Sequence, residues 1–227
     1  RRSRSSPHHP CALPRSFSPS SRVYRAEARR AFGVPEDVTL TFVTGGSQGS
    51  LALNQGLIAY VTEVSRGDID RPAMLHFLWS TGRKHFPGVR GALDGAGSPE
   101  WVHALPYIED MPGALAAADL AVSRAGAMTT AELMNQGLPA VLIPLPTAAE
   151  NHQMFNALAL EAAGAARVIP QDELSPARLA AELALMTTDT EGLDLMSARA
   201  FERARPRATE DIAGDVATLL PPTRRAA

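Results

Sequence analysis

The sequence is short of several things that would each point to a chemistry. It has one cysteine, Cys11, so it can form neither an intrachain disulfide nor a cysteine-built zinc cluster, which fits a reducing compartment. No run of about 18 apolar residues occurs, so no transmembrane helix is expected. No His/Cys/Asp cluster has metal-ligand spacing, and no Gly-x-Ser-x-Gly elbow is present. Neither a Walker loop nor Gly-x-Gly-x-x-Gly occurs. No metal or cofactor is therefore assigned. Lysine occurs once, at Lys84. Acidic residues are missing from residues 1–22, which hold five arginines, whereas the remainder carries 17 basic against 24 acidic side chains. An acidic body argues against a general nucleic-acid binder.

What is present is ordinary for a globular protein. Hydrophobic residues make up 45% and charged residues 20% of 227, enough for one large domain with a real core. Residues 1–22, rich in Ser, Pro, Arg and His, read as a disordered or non-native tail, without the apolar stretch of a signal peptide. The chain opens on Arg1 rather than Met, so the expectation is a start inside a longer reading frame or a non-native leader. Residues 23–220 read as one domain and 221–227 as a tail. Six short apolar segments are expected as strands: Val38–Thr44, Ala73–Trp79, Trp101–Leu105, Leu120–Ser123, Ala140–Ile143 and Ala166–Ile169. Helical spacing falls at Arg25–Phe32, Ser50–Val64, Pro112–Ala117, Thr129–Asn135 and His152–Ala163, then from Pro176 to about Leu220 with breaks near Gly192 and Pro206. Uniformly apolar strands alternating with helices predict a Rossmann-like α/β fold, a doubly wound parallel sheet.

Such sheets bind ligands beyond the carboxyl ends of their strands, which singles out four loops. Gly45-Gly46-Ser47-Gln48-Gly49 lets main-chain N–H groups approach a ligand before a helix start; a plain tight turn would look the same. Ser123-Arg124-Ala125-Gly126-Ala127-Met128-Thr129-Thr130-Ala131-Glu132 runs a strand into a helix whose first N–H groups suit a diphosphate. Thr129 and Glu132, three apart, share a face, and a carboxylate there suits a ribose diol. Alternatively, Thr129 caps the helix and Glu132 only favours its positive end. Pro144 to Gln153 ends in amides, Asn151 and Gln153, suited to sugar hydroxyls, or Asn151 is only a cap and Gln153 is solvated. Pro106-Tyr107-Ile108-Glu109-Asp110-Met111 offers main-chain groups to a planar base, or is a surface loop with Ile108 packed inward. His76 and His103 read as core-edge residues. Arg124 serves either a diphosphate or an inward salt bridge, and the roles of His85 and His152 stay open.

In this order the loops resemble the MurG family, the bacterial N-acetylglucosaminyltransferases that complete lipid II. The matching text is Gly45 to Gly49 with Leu53-Asn54, Tyr107 to Met111, Ala118-Asp119-Leu120, Arg124 to Glu132, Gly137-Leu138-Pro139, and Glu150 to Gln153 with Asn156-Ala157. The resemblance implies the carboxyl-terminal, donor-binding half of a two-domain GT-B glycosyltransferase. It implies that UDP-GlcNAc binds at Gly46, Ser47, Gln48 and Gly49, with the Ile108 main chain on uracil. It places Ala127, Met128, Thr129 and Thr130 on phosphate, Glu132 on ribose and Gln153 on the GlcNAc hydroxyls. The family's amino-terminal Gly-Gly-Thr-Gly-Gly-His turn, expected general base and Asn-Pro-Val-Arg segment have no counterpart here; Leu13-Pro14-Arg15 is at best a poor remnant.

For the intact enzyme the resemblance implies transfer of GlcNAc to lipid I with inversion, in the cytoplasm, peripheral to the inner face of the plasma membrane. Acceptor and membrane contact would then belong to the other domain. A non-catalytic UDP-sugar-binding fragment or subunit, or another GT-B transferase or epimerase with the same donor, would carry the same loops.

Overall fold

The computed structural model of the chain describes residues 19–219; the tail 221–227 and most of the expected tail 1–22 lie outside them. Six strands form one parallel sheet: β1 (Thr39–Thr44), β2 (Leu75–Ser80), β3 (Val102–Leu105), β4 (Leu120–Ser123), β5 (Ala140–Leu142) and β6 (Ala166–Val168). Their spatial order is β3-β2-β1-β4-β5-β6, with every neighbouring pair parallel. The nine helices among the described residues are α1 (Pro19–Ala31), α2 (Leu51–Arg66), α3 (Phe86–Gly95), α4 (Met111–Ala117), α5 (Ala127–Asn135), α6 (His152–Ala162), α7 (Pro176–Thr188), α8 (Thr190–Glu202) and α9 (Ala208–Leu219). This is the expected doubly wound architecture.

Alternation along each strand feeds two cores. Leu40, Phe42 and Leu78 pack on one face with Leu115 of α4 and Leu133 of α5. Val43, Phe77 and Trp79 pack on the other with Leu57 of α2, Val89 of α3 and Leu183 of α7. Both faces are covered, which is why the strands read as apolar throughout.

Three departures have local causes. The first helix begins at Pro19, inside the segment expected as tail. α3 has no helical signal because Pro87, Gly88, Gly91 and Gly95 interrupt the pattern. It forms because Pro87 falls in its first turn, where no N–H is needed, and because Val89 and Leu93, one turn apart, are buried. The break expected near Gly192 falls instead at Asp189, whose carboxylate caps α8 by accepting from the Gly192 N–H at 2.8 Å. A Cβ on Gly192 would lie 2.2 Å from that carboxylate, so this glycine marks a capped start and not a stop.

Asp119, one of the residues on which the family resemblance rests, serves the fold. Its carboxylate accepts from the buried Arg29 at 2.8 Å, from Leu40 N–H at 2.8 Å and from Arg25. Arg29 is 2% exposed and also donates to the carbonyls of Ala117, Glu36 and Val38. This network ties α1 to the amino ends of β1 and β4, opposite the edge where ligands are expected. Asp119→Ala leaves Arg29 buried without its anion and should cost about 3 kcal/mol in urea unfolding, with Asp119→Asn costing less.

His76 and His103 meet on neighbouring strands as stacked rings, Nδ1 to Nε2 3.4 Å apart. Burial lowers both pKa values, and for His76 the neighbouring His103, Arg71 and Arg29 add to this while Asp37 opposes it. The folded state therefore favours the neutral rings. Their contribution is complete above the unfolded value of about 6.5 and is lost as pH falls through the lowered folded-state values. The urea midpoint should drop below that pH, and His103→Gln should flatten the fall.

Candidate ligand-binding site

The strand order reverses at β1, between β2 and β4, and the helices that follow β1 and β4 leave on opposite faces. A crevice opens there at the carboxyl edge. Three loops wall it, and each is held by a contact that can be named.

The loop after β1 is set by its glycines. Gly46 and Gly49 have φ of 89° and 76°, and the Gly49 N–H closes the turn onto the Gly46 carbonyl at 2.9 Å. A Cβ on Gly49 would lie 2.1 Å from the Thr81 carbonyl oxygen, and one on Gly82 would lie 2.2 Å from that of Gln48. The loops after β1 and β2 therefore pack main chain against main chain. Asn54, 1% exposed, locks them: its Nδ2 donates to the Thr81 carbonyl at 2.8 Å, and its Oδ1 accepts from Trp79 Nε1 at 3.1 Å.

Arg124 runs inward beneath the crevice, 6% exposed. It donates to the Ser50 hydroxyl, the carbonyls of Ile143 and Pro144, and Gln171 Oε1. No carboxylate among the described residues pairs with it, so the inward salt bridge considered from sequence is not formed. Burial lowers its pKa, yet a guanidinium stays protonated in proteins. One uncompensated positive charge thus sits under the loop edge.

α5 begins above that charge. Its N-cap is Gly126, with no side-chain cap. Thr129 lies inside the helix as its third residue and Glu132 falls past the first turn, which removes the capping and dipole alternatives for both. Thr130 departs from expectation. Its N–H bonds the Gly126 carbonyl, and its hydroxyl bonds those of Gly126 and Ala127, so it offers nothing to the crevice. Ala127 and Met128 are exposed at the helix start.

Ser47, Thr129 and Glu132 line one cleft of about 300 Å³ together with Gly46, Ile108 and Met128. Ile108 is 2% exposed, and neither its main-chain N–H nor its carbonyl has a partner among the described residues. A second cleft of about 420 Å³ adjoins this one at Gly46 and Thr129 and is lined also by Gly49, Arg124, Gly126 and Gln153. Gln153 Oε1 accepts from the Leu145 N–H at 3.0 Å, which aims its amide toward Gly126. Asn151 holds the N-cap position of α6, but its side chain makes no capping bond, and His152 Nδ1 lies 2.8 Å from the Ala149 carbonyl. Gln48 faces neither cleft; it lines a third opening with His85. Gln171, after β6, was missed in sequence, although the rule that strand ends carry ligands extends to that loop. Among the described residues no group of three His, Cys, Asp or Glu is placed to hold a metal, and no helix is long and apolar enough to cross a membrane.

The model of the glycosyltransferase family 28 C-terminal domain matches residues 40–212. The UDP-N-acetylglucosamine–N-acetylmuramyl-(pentapeptide) pyrophosphoryl-undecaprenol N-acetylglucosamine transferase of Carboxydothermus hydrogenoformans is 38% identical over 198 residues, covering 87% of this chain and 52% of that protein. That of Alkalilimnicola ehrlichii is 41% identical over 186 residues, 82% and 50% respectively. The chain thus spans about half the length of these relatives. The crystal structure of Acinetobacter baumannii MurG superposes with a TM-score of 0.69 at 27% identity, over 91% of this chain and 59% of that one.

The bare start of α5 yields a prediction. A Cβ at Gly126 meets only Gln153 Nε2, at 3.9 Å, so Gly126→Asp fits and supplies the missing cap. It should stabilise the fold by about 0.5–1 kcal/mol in urea unfolding, while its carboxylate takes the N–H groups an anion would use.

Proposed function

The chain belongs to glycosyltransferase family 28, as its carboxyl-terminal domain, and on that premise we propose that it is the UDP-GlcNAc-binding half of an N-acetylglucosaminyltransferase. The observation that carries the reading is the meeting of Ser47, Thr129 and Glu132 in one cleft that continues to Gly126 and Gln153. Each part of a UDP-sugar finds matching chemistry there. The unbonded Ile108 N–H and carbonyl complement the acceptor and donor on the edge of uracil. The Glu132 carboxylate accepts both ribose hydroxyls. The diphosphate lies between the Gly46–Ser47 turn and the uncapped N–H groups at Ala127–Thr129, with the Arg124 charge beneath. The Gln153 amide donates to the sugar.

In the intact enzyme the acceptor is the undecaprenyl-diphosphate-linked N-acetylmuramyl pentapeptide, lipid I, and the product is lipid II. The acceptor hydroxyl attacks C1 of GlcNAc as the C1–O bond to the diphosphate breaks, so the anomeric centre inverts. A base in the other domain takes the hydroxyl proton. UDP leaves with the bonding electrons, and its growing charge meets N–H groups and a cation already in place, which lowers the barrier without reorganisation. The enzyme works in the cytoplasm against the inner face of the plasma membrane, where this acceptor is anchored.

Calorimetry tests the assignments. Glu132→Gln should weaken UDP binding ten- to a hundredfold, about 1.5–3 kcal/mol; an unchanged affinity would remove Glu132 from the ribose. Gln153→Ala should weaken UDP-GlcNAc and leave UDP nearly untouched, whereas equal losses would mean that Gln153 does not reach the sugar.

A further inference from the structure

Five hydrogen bonds leave the Arg124 guanidinium. Nε and Nη2 donate to the Ser50 hydroxyl at 3.0 and 2.8 Å, Nη1 donates to the Ile143 and Pro144 carbonyls at 3.0 and 3.2 Å, and Nη2 donates to Gln171 Oε1 at 2.6 Å. That is as many bonds as a guanidinium has N–H groups. A ligand in the cleft therefore meets the charge of Arg124 and none of its donors. No other charged residue among those described lines that cleft of about 420 Å³, and the field of a buried charge is little screened by salt.

Two of the four acceptors are main-chain carbonyls, which a substitution leaves in place. The charge balance around Arg124 is thus decided by two side chains, Ser50 and Gln171, and both line the cleft. Ser50 has a second duty, because its hydroxyl caps α2 by accepting from the Leu53 N–H at 3.4 Å. Gln171 has no other side-chain bond among the described residues. It opens the short turn Gln171–Glu173, in which the next two residues, Asp172 and Glu173, are acidic and exposed. Carboxylates thus stand at the two positions that face solvent, and an amide stands at the one that meets the cation. Glutamate has nearly the same shape as glutamine. At position 171 it would tie the same loops with a stronger, charge-assisted bond, so the amide is the weaker tie but leaves the charge unpaired.

We propose that Gln171 sets the charge preference of the donor site. By accepting from Arg124 without neutralising it, Gln171 makes the cleft select a diphosphate over the uncharged nucleoside. This rests on the donor reading above. Gln171 is a positioning residue: it acts through Arg124, whose guanidinium it holds beneath the crevice and whose charge it leaves open.

The test compares UDP, uridine and inorganic pyrophosphate by NMR titration of the chain and its variants, with urea unfolding alongside. Gln171→Glu should lower the ratio of UDP to uridine affinity by about tenfold or more, while the urea midpoint holds or rises. Gln171→Met removes the bond and adds no charge, so it should lower the urea midpoint and cost less of that ratio than Gln171→Glu does. Ser50→Asp keeps a cap on α2 and pairs Arg124 from its other side, so it should repeat the loss of ratio even where Gln171→Glu does not fold. An unchanged ratio in both acidic variants, or equal losses for Gln171→Glu and Gln171→Met, would overturn the proposal, because Gln171 would then be only a tie between loops. UDP bound in those cases leaves the donor reading standing. Pyrophosphate bound with the same Gln171→Glu loss, and UDP bound no more tightly than pyrophosphate, would support the charge role and sink the donor reading instead.

Discussion

Arg124 joins more of the ligand-binding edge than any other side chain described here. Its guanidinium reaches the Ser50 hydroxyl that caps α2, the carbonyls that end β5, and Gln171 beyond β6. Each bond from a charged donor is worth about 1.5–3 kcal/mol against an unmade one, so the loops after β1, β5 and β6 are tied to one point. Because those acceptors are neutral, the charge is solvated by the protein without being cancelled. A structural ion pair would have bound the same loops and left no unpaired cation beneath the crevice.

That arrangement explains why the start of α5 stays bare. A serine or aspartate at Gly126 would satisfy N–H groups that the fold leaves open, and the space for it exists. Stability at this position is given up where an anion is proposed to supply it. The opposite end of the sheet follows the usual rule: Asp119 answers Arg29 and Arg25 directly. Both ends hold buried or half-buried arginine, but Arg25 and Arg29 are ion-paired, whereas Arg124 meets no carboxylate among the described residues.

Much of this was legible in the sequence, and what was not has physical reasons. Strands buried on both faces announce themselves by apolar runs, and the rule that ligands gather at strand ends selects, without coordinates, loops that meet around adjoining clefts. Ser47, Thr129 and Glu132 were expected to converge and do so. α3 was hidden because its glycines and Pro87 lack the signal that two buried residues suffice to replace. Gly192 read as a break because a glycine beside a capping carboxylate looks like any other glycine. Thr130 resembled Thr129 in sequence, but its N–H and its hydroxyl both turn back onto the start of α5. Arg124 was ambiguous because its partners lie up to 74 residues away along the chain, and nothing local distinguishes an arginine facing carbonyls from one facing a carboxylate. Asp119 belonged to a matching motif, yet its work is at the far end from the cleft.

The account reduces to one placement: a nucleoside diphosphate lying across the crevice with its phosphates on the uncapped turn at Gly126. A crystal structure of the chain with UDP tests it most directly. The account predicts phosphate oxygens within hydrogen-bond distance of main-chain N–H groups in Ala127–Thr129, ribose hydroxyls on Glu132 and uracil against the Ile108 main chain. UDP seated elsewhere on the molecule, or lying in the crevice with its phosphates turned away from α5, would contradict it.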